Sequence, residues 1–103
     1  MSVLVNFAMF PTDQGTSKSE SVSKVLEFIK NSGVDYKLSP MATTVETETM
    51  EEALAIINGA YKVLESDHER IYSTITIDAR KGDLGRMTSK IDSIENKIGT
   101  VNK

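Results

Sequence analysis

Asp78 and Arg80 stand two residues apart in "IDARKG", residues 77–82. An extended backbone puts both on one face, so the carboxylate and guanidinium are either a surface ion pair or the charged rim of a site. A second concentration of chemistry is "KLSPMATTVETETMEEALAII", residues 37–57, where a turn at Pro40 and Met41 leads into threonines and glutamates rich in donors, acceptors and negative charge. The third is "TDQGTSKS", residues 12–19, in which one glycine and several hydroxyls precede a helix start. Backbone N–H groups there can hold an anionic or polar group, or the segment is a loop that ends in a cap; the spaced glycines and lysine of a P-loop are missing.

Catalysis has fewer starting materials. The chain has no cysteine and a single histidine, His68, which lies among Asp67, Glu69 and Arg70 and reads as a solvated loop residue. Glu51 and Glu52 fall in the opening turn of a helix, where acids favour the macrodipole. Nucleophile, base and metal cluster are all lacking, so the expectation is a protein that is not an enzyme and has no metal site.

The 103 residues suit one domain, residues 1–103, with 39% hydrophobic and 26% charged content. A chain this size buries only about 60–70% of its unfolded surface, so association with copies of itself would help it. Fifteen acids against twelve bases give a net charge of −3, and without a basic cluster nucleic acid is not an expected partner. No apolar run approaches the roughly 20 residues of a spanning helix, and no export signal is read, so the expectation is a cytoplasmic protein without a membrane partner.

These residues need elements to position them. "VLVNFAMFP" (residues 3–11) reads as a buried strand stopped by Pro11, with Val3, Val5, Phe7 and Met9 on one face and Leu4, Asn6, Ala8 and Phe10 on the other. Ser17 and Glu20 form a capping box before a helix through Val22, Val25, Leu26 and Ile29, which Asn31-Ser32-Gly33 ends. "VDYKLS" and "MATTVET" flank Pro40 as a hairpin. Thr49 and Glu52 cap a second helix whose stripe is Met50, Ala53, Leu54, Ile57, Tyr61 and Leu64, ending near Ser66. "RIYSTITID" alternates strictly, with Ile71, Ser73, Ile75 and Ile77 on one side and Tyr72, Thr74, Thr76 and Asp78 on the other. A last helix carries Met87, Ile91, Ile94 and Ile98 in a narrow seam that fits a neighbouring surface.

The order β-α-β-β-α-β predicts an α+β, ferredoxin-like fold: a four-stranded antiparallel sheet, two helices on one face, and an appended C-terminal helix. With the isoleucines on the helix-covered side, the open face receives Leu4, Asn6, Ala8, Phe10, Tyr72, Thr74 and Thr76, half apolar and half hydrogen-bonding. Such a face marks an interface or a ligand surface. RNA recognition on this topology needs central-strand aromatics and a basic surface, and acylphosphatase chemistry needs an arginine-bearing loop after the first strand; neither is present.

With the segments placed, the chain resembles the thiamine-binding ferredoxin-like family, relatives of YkoF, over nearly its whole length. The resemblance rests on the strand closing at Pro11, on "GTSKSESVSKV", on "YKLSPMATTVET", and on "STITIDARKG". Tyr36, Pro40, Met41, Thr43 and Glu46 match the family's most specific pattern, while Ala42, Thr47 and Ala79 depart from it. The resemblance implies a cytoplasmic, non-catalytic dimer or tetramer that binds thiamine or its hydroxymethylpyrimidine moiety. Thr43, Thr44, Ser17 or Ser19 would then meet the aminopyrimidine, Glu46 or Asp78, with Arg80 at the rim, would face the thiazolium, and Phe7, Phe10, Tyr36 or Met41 would supply an apolar wall. The other reading is an interaction protein that uses the open sheet face and last helix for homo-oligomeric assembly.

Overall fold

Alternation along the first strand sets the layers. Val3, Val5, Phe7 and Met9 are at most 6% exposed, whereas Leu4, Ala8 and Phe10 between them are half-buried and Asn6 is exposed. The computed structural model describes residues 1–13 and 18–103, the side chains of residues 18 and 19 excepted. The elements are β1 (Ser2–Pro11), α1 (Lys18–Ser32), β2 (Asp35–Leu38), β3 (Thr43–Thr47), α2 (Met50–Glu65), β4 (Ile71–Arg80) and α3 (Arg86–Ile98). Strand order is β2-β3-β1-β4 with every neighbouring pair antiparallel, the ferredoxin-like arrangement the sequence predicts. The capping box read at Ser17 lies outside the described residues.

The register decides which side chains share a face. Val5 is opposite both Val45 and Ile77, and Phe7 is opposite Thr43 and Ile75, so these residues all look towards α1 and α2. Val25 and Ile29 of α1 and Ala53, Ile56, Ala60 and Leu64 of α2 close over them. Thr49 begins α2 by accepting the Glu52 N–H at 3.1 Å, and its own hydroxyl donates to Glu52 Oε1 at 3.0 Å. Gly33, at φ 81°, ends α1 in a conformation other residues avoid. In the β2–β3 hairpin the Ser39 N–H donates to Ala42 O at 2.9 Å.

Three expectations are corrected. Ile75 and Ile77 do share the helix-facing side, yet they are 41% and 39% exposed, because β4 is an edge strand that the helices cover only in part. On α2, Leu54 and Tyr61 are exposed while Ala53, Ile56, Ala60 and Leu64 are buried. Gly59 lies against the Phe28 ring of α1, which rolls α2 so that its alanines meet the sheet. Finally, His68 is not solvated: its side chain is 10% exposed and Nδ1 lies 3.4 Å from Asp13 Oδ1. The Glu69 N–H donates to Asp13 Oδ2 at 2.6 Å, drawing the α2–β4 connection onto the end of β1 and holding the Asp13 carboxyl below its ordinary range.

Helix propensity favours Gly59→Ala by about 1 kcal/mol, but the added Cβ would overlap the Phe28 ring. Overpacking costs about 1–3 kcal/mol, so the expected result is a lower Tm by thermal unfolding, restored by the additional change Phe28→Leu. An unchanged Tm in the single variant would show that the ring swings aside freely.

Candidate functional site

The hairpin turn, α1 and the far end of β1 enclose a cavity of about 250 Å³. Its walls are mostly apolar: Phe7 and Phe10 from β1, Leu26 from α1, and Leu38 and Met41 beside the turn. Alternation places Thr43 on the helix-facing side of β3, so its hydroxyl enters this lining from a residue only 7% exposed. Met41 is 88% exposed and stands at the rim. Pro40 and the Ser39–Ala42 hydrogen bond fix the turn that carries it. A small cavity with aromatic walls and a hydroxyl is suited to a flat, neutral heteroaromatic ring: the rings supply contact area and the oxygen an orientation.

At the other end of β3 the chemistry is ionic. Glu46 is on the opposite, open face of the sheet, is 5% exposed, and has both oxygens engaged. The Ser2 hydroxyl donates to Oε2 at 2.5 Å, the Gly85 N–H lies 3.1 Å from each oxygen, and the Arg86 N–H donates to Oε2 at 3.3 Å. Gly85, the N-cap of α3, has φ 96° and no side chain with which to cap, so the carboxylate of β3 performs that task. Burial opposes ionisation of Glu46, but the bonds from Ser2 and from the backbone of Arg86, Gly85 and Met87 outweigh it and hold the carboxyl below the usual glutamate range.

Arg86 binds the same corner together. Its Nε donates to Ser2 Oγ at 2.9 Å, Nη1 to Asp78 Oδ2 at 2.7 Å, and Nη2 to the backbone oxygens of Ser2 and Asp78 at 2.8 and 2.7 Å. A shallow groove of about 420 Å³ beside this network is lined by Asp35, Glu46, Glu48 and Glu52 with Leu84.

The residues singled out in the sequence therefore fall into separate places. Phe7, Phe10, Met41 and Thr43 come together at the apolar cavity. Thr44 faces the other way and donates to Asn6 Oδ1 at 3.0 Å, part of a polar row with Thr76, whose hydroxyl donates to Asn6 O at 3.3 Å. Tyr36 pairs with Val45 on the edge strand β2, apart from the cavity lining. Asp78 has its guanidinium partner in Arg86, while Arg80 sits exposed opposite Ser2. Ser17 lies outside the described residues, and Ser19 is in the first turn of α1 with its side chain outside them too. Sequence reasoning missed Ser2, Gly85 and Arg86. The available signal was a helix start at Gly85 with no Ser, Thr, Asp or Asn at the cap.

Glu46→Gln removes the charge but keeps the shape. Hydrogen bonds to charged groups contribute about 1.5–3 kcal/mol, so a loss of about 2 kcal/mol at neutral pH is expected in urea unfolding. Because the folded pKa is depressed, this contribution is fully present above the unfolded glutamate value and is lost as pH falls through the folded value. The gap between wild type and variant should close on acidification; a gap independent of pH would show that the carboxylate charge does not hold α3.

The sequence pattern of a family described as thiamine-binding protein matches residues 5–95. The chain is 30% identical over 95 residues to the UPF0045 protein Mb1933 of Mycobacterium bovis, covering 92% of this chain and 93% of that one. It is 32% identical to a UPF0045 protein of Methanothermobacter thermautotrophicus, over 81% of this chain and 85% of its relative. Among solved structures, the hypothetical protein MJ1052 of Methanocaldococcus jannaschii superposes with a TM-score of 0.78 at 26% identity, covering 90% of this chain and 95% of that one. The family match takes in the cavity, the hairpin and, of the ionic corner, Glu46, Asp78, Gly85 and Arg86, and this chain belongs to the thiamine-binding protein family.

Proposed function

We propose that the protein is a non-enzymatic binder of thiamine or its hydroxymethylpyrimidine moiety, acting in the cytoplasm as a homo-oligomeric carrier, buffer or sensor. One observation carries the choice of end: the cavity of about 250 Å³ lies below the roughly 300–1,000 Å³ of sites that enclose drug-sized ligands, and so fits one ring better than the whole vitamin. The pyrimidine enters between Phe7, Leu38 and Met41 and takes a hydrogen bond from or to Thr43, leaving the thiazolium outside. Glu46 is a poor partner for that cation, since it lies on the other face of β3 with its oxygens occupied. Family membership supports the vitamin as ligand.

A second reading, assembly through the open face without a working ligand site, is favoured by α3, which has no buried residue among its thirteen, and by half-exposed Tyr72. Calorimetric titration separates the two. Saturable heats with thiamine and with hydroxymethylpyrimidine are expected under the first reading. Thr43→Val should weaken both about fivefold, the equivalent of one hydrogen bond of about 1 kcal/mol. Flat traces for the vitamin, its phosphates and the free pyrimidine would leave the assembly reading, in which Ile91→Asp with Ile94→Asp lowers the mass seen by light scattering.

A further inference from the structure

β1 is longer than one of the two strands beside it. Against β4 it is paired along its whole length, from Ser2 to Pro11, but β3 pairs with it only from Val3 to Phe7. Beyond Phe7, β1 borders the cavity on the side that β3 leaves, and Met9, buried, is part of the lining there.

Two hydrogen bonds at the strand ends fix which backbone groups look that way. The Thr12 N–H donates to Arg70 O at 3.1 Å, one step beyond the Pro11–Ile71 pair. Bonded and non-bonded pairs alternate in an antiparallel ladder, so the even-numbered residues of β1 turn N–H and C=O towards β4 and the odd-numbered ones turn theirs towards β3. Independently, the Ser39 N–H donates to Ala42 O at 2.9 Å, one step beyond the Leu38–Thr43 pair, so the odd-numbered residues of β3 face β1. The two strands agree. Val3–Thr47, Val5–Val45 and Phe7–Thr43 are bonded pairs, and the next in the same register would join Met9 to Met41. That rung is not made: the Ser39–Ala42 turn carries exposed Met41 away, and neither the N–H nor the C=O of Met9 has a hydrogen-bond partner among the described residues. Pro11, the next residue of β1 turned this way, brings no N–H, so Met9 carries the one backbone donor of β1 beyond the last rung. Buried backbone groups are nearly always paired, and here a donor and an acceptor stand together on a wall of mostly apolar side chains.

We propose that the backbone of Met9 is the reading edge of the cavity: its N–H donates to a ring nitrogen and its C=O accepts from an amino group on the adjacent ring carbon, so that a neutral aminopyrimidine lies where the missing rung of β3 would be. Recognition by Met9 rests on the cavity being a pyrimidine site, and it specifies which edge of the ring is held. In an extended strand the N–H and C=O of one residue point the same way, side by side. A ring nitrogen next to an amino-bearing carbon presents an acceptor and a donor in one plane, the complement of that pair. A ring of the same size without the amino group satisfies only the N–H, and a ring protonated at that nitrogen turns a donor against a donor. None of the described lining residues is charged, so nothing in the wall favours a cation or a phosphate ester over the neutral ring. Thr43, whose backbone makes the last rung with Phe7, keeps its hydroxyl for a second polar position of the ligand. The selectivity of the site is thus set by main-chain geometry, which no side-chain motif in the sequence displays.

The Met9 amide itself gives the decisive test. In the nitrogen-15-labelled full chain titrated with hydroxymethylpyrimidine, the Met9 amide proton should move downfield and exchange more slowly with solvent, while the amides of Val5 and Phe7, already bonded to β3, change little. By calorimetry, the analogue with hydrogen in place of the amino group, and the one with a dimethylamino group, should each bind about five- to tenfold more weakly, the loss of one hydrogen bond. Met9→Pro deletes the N–H on the side away from β4 and leaves the carbonyl, so it should bind about tenfold more weakly than Met9→Leu, which keeps both groups. Should the proline variant fail to fold, the amide shift and the analogues decide. Saturable binding of hydroxymethylpyrimidine with the Met9 amide unmoved, or equal affinity for the analogue without the amino group, would overturn the proposal and leave the pyrimidine site standing. Flat traces for hydroxymethylpyrimidine with the unaltered protein would overturn both.

Discussion

A buried carboxylate must be matched by donors or it will not stay ionised, and Glu46 is the one charged side chain buried among the described residues. Its needs organise one whole end of the molecule. Ser2 comes from the start of β1, and Gly85 and Arg86 from the connection that follows β4, so the chain has to return across the sheet end to supply them. Arg86 then closes the corner by holding Ser2 and Asp78. α3 packs without burying a residue, so this ionic corner and the Glu46 cap fix where it leaves the sheet. Had Glu46 been an alanine or a valine, the first turn of α3 would have had to find its hydrogen bonds in water.

β3 divides the molecule's chemistry between its two faces. Thr43, Val45 and Thr47 look towards the helices, while Thr44 and Glu46 look away. The cavity is therefore built from the helix side and the hairpin turn, and the ionic corner from the open side, although both rest on a strand of five residues. Beside them runs a row of short polar side chains without charge, in which Thr44 donates to the Asn6 side chain and Thr76 to the Asn6 backbone oxygen. A ligand ring in the cavity and a cation at the open face would thus be separated by the sheet itself.

The layers were legible in the sequence because they follow from period two and period 3.6, which are local. Val3, Val5, Phe7 and Met9 are buried as their alternation requires, and Thr49 caps α2 as its spacing with Glu52 requires. What alternation cannot state is strand position: the pattern of Ile71, Ser73, Ile75 and Ile77 gives a face correctly, but burial depends on neighbours that an edge strand lacks. The roll of α2 was hidden for a similar reason, since the contact of Gly59 with Phe28 joins two helices thirty-one positions apart in the chain. Glu46 was legible as an unusual acid in a threonine-rich strand. Its partners were not, for Ser2 and Arg86 lie 44 and 40 residues away and only the fold brings them near. His68 reads as wet in any local window, and its burial comes from Asp13 across 55 positions.

Gly59 has a consequence for the sheet beyond its own helix pair. With no side chain between the α2 backbone and the Phe28 ring, α1 and α2 approach more closely than larger residues would permit, and a closer pair covers a narrower strip. The strip falls on the inner strands: β1 and β3 carry the buried Val3, Val5, Phe7 and Val45, whereas every residue of β2 and nearly every residue of β4 is exposed. The sequence treats the two bare edges differently, with charge at β2 and isoleucine at β4, and isoleucine left bare on a long edge invites association unless something covers it. Tight packing at the centre of the molecule and apolar surface at one side thus occur together: the helices close over β1 and β3 and reach β4 only in part, at Ile71.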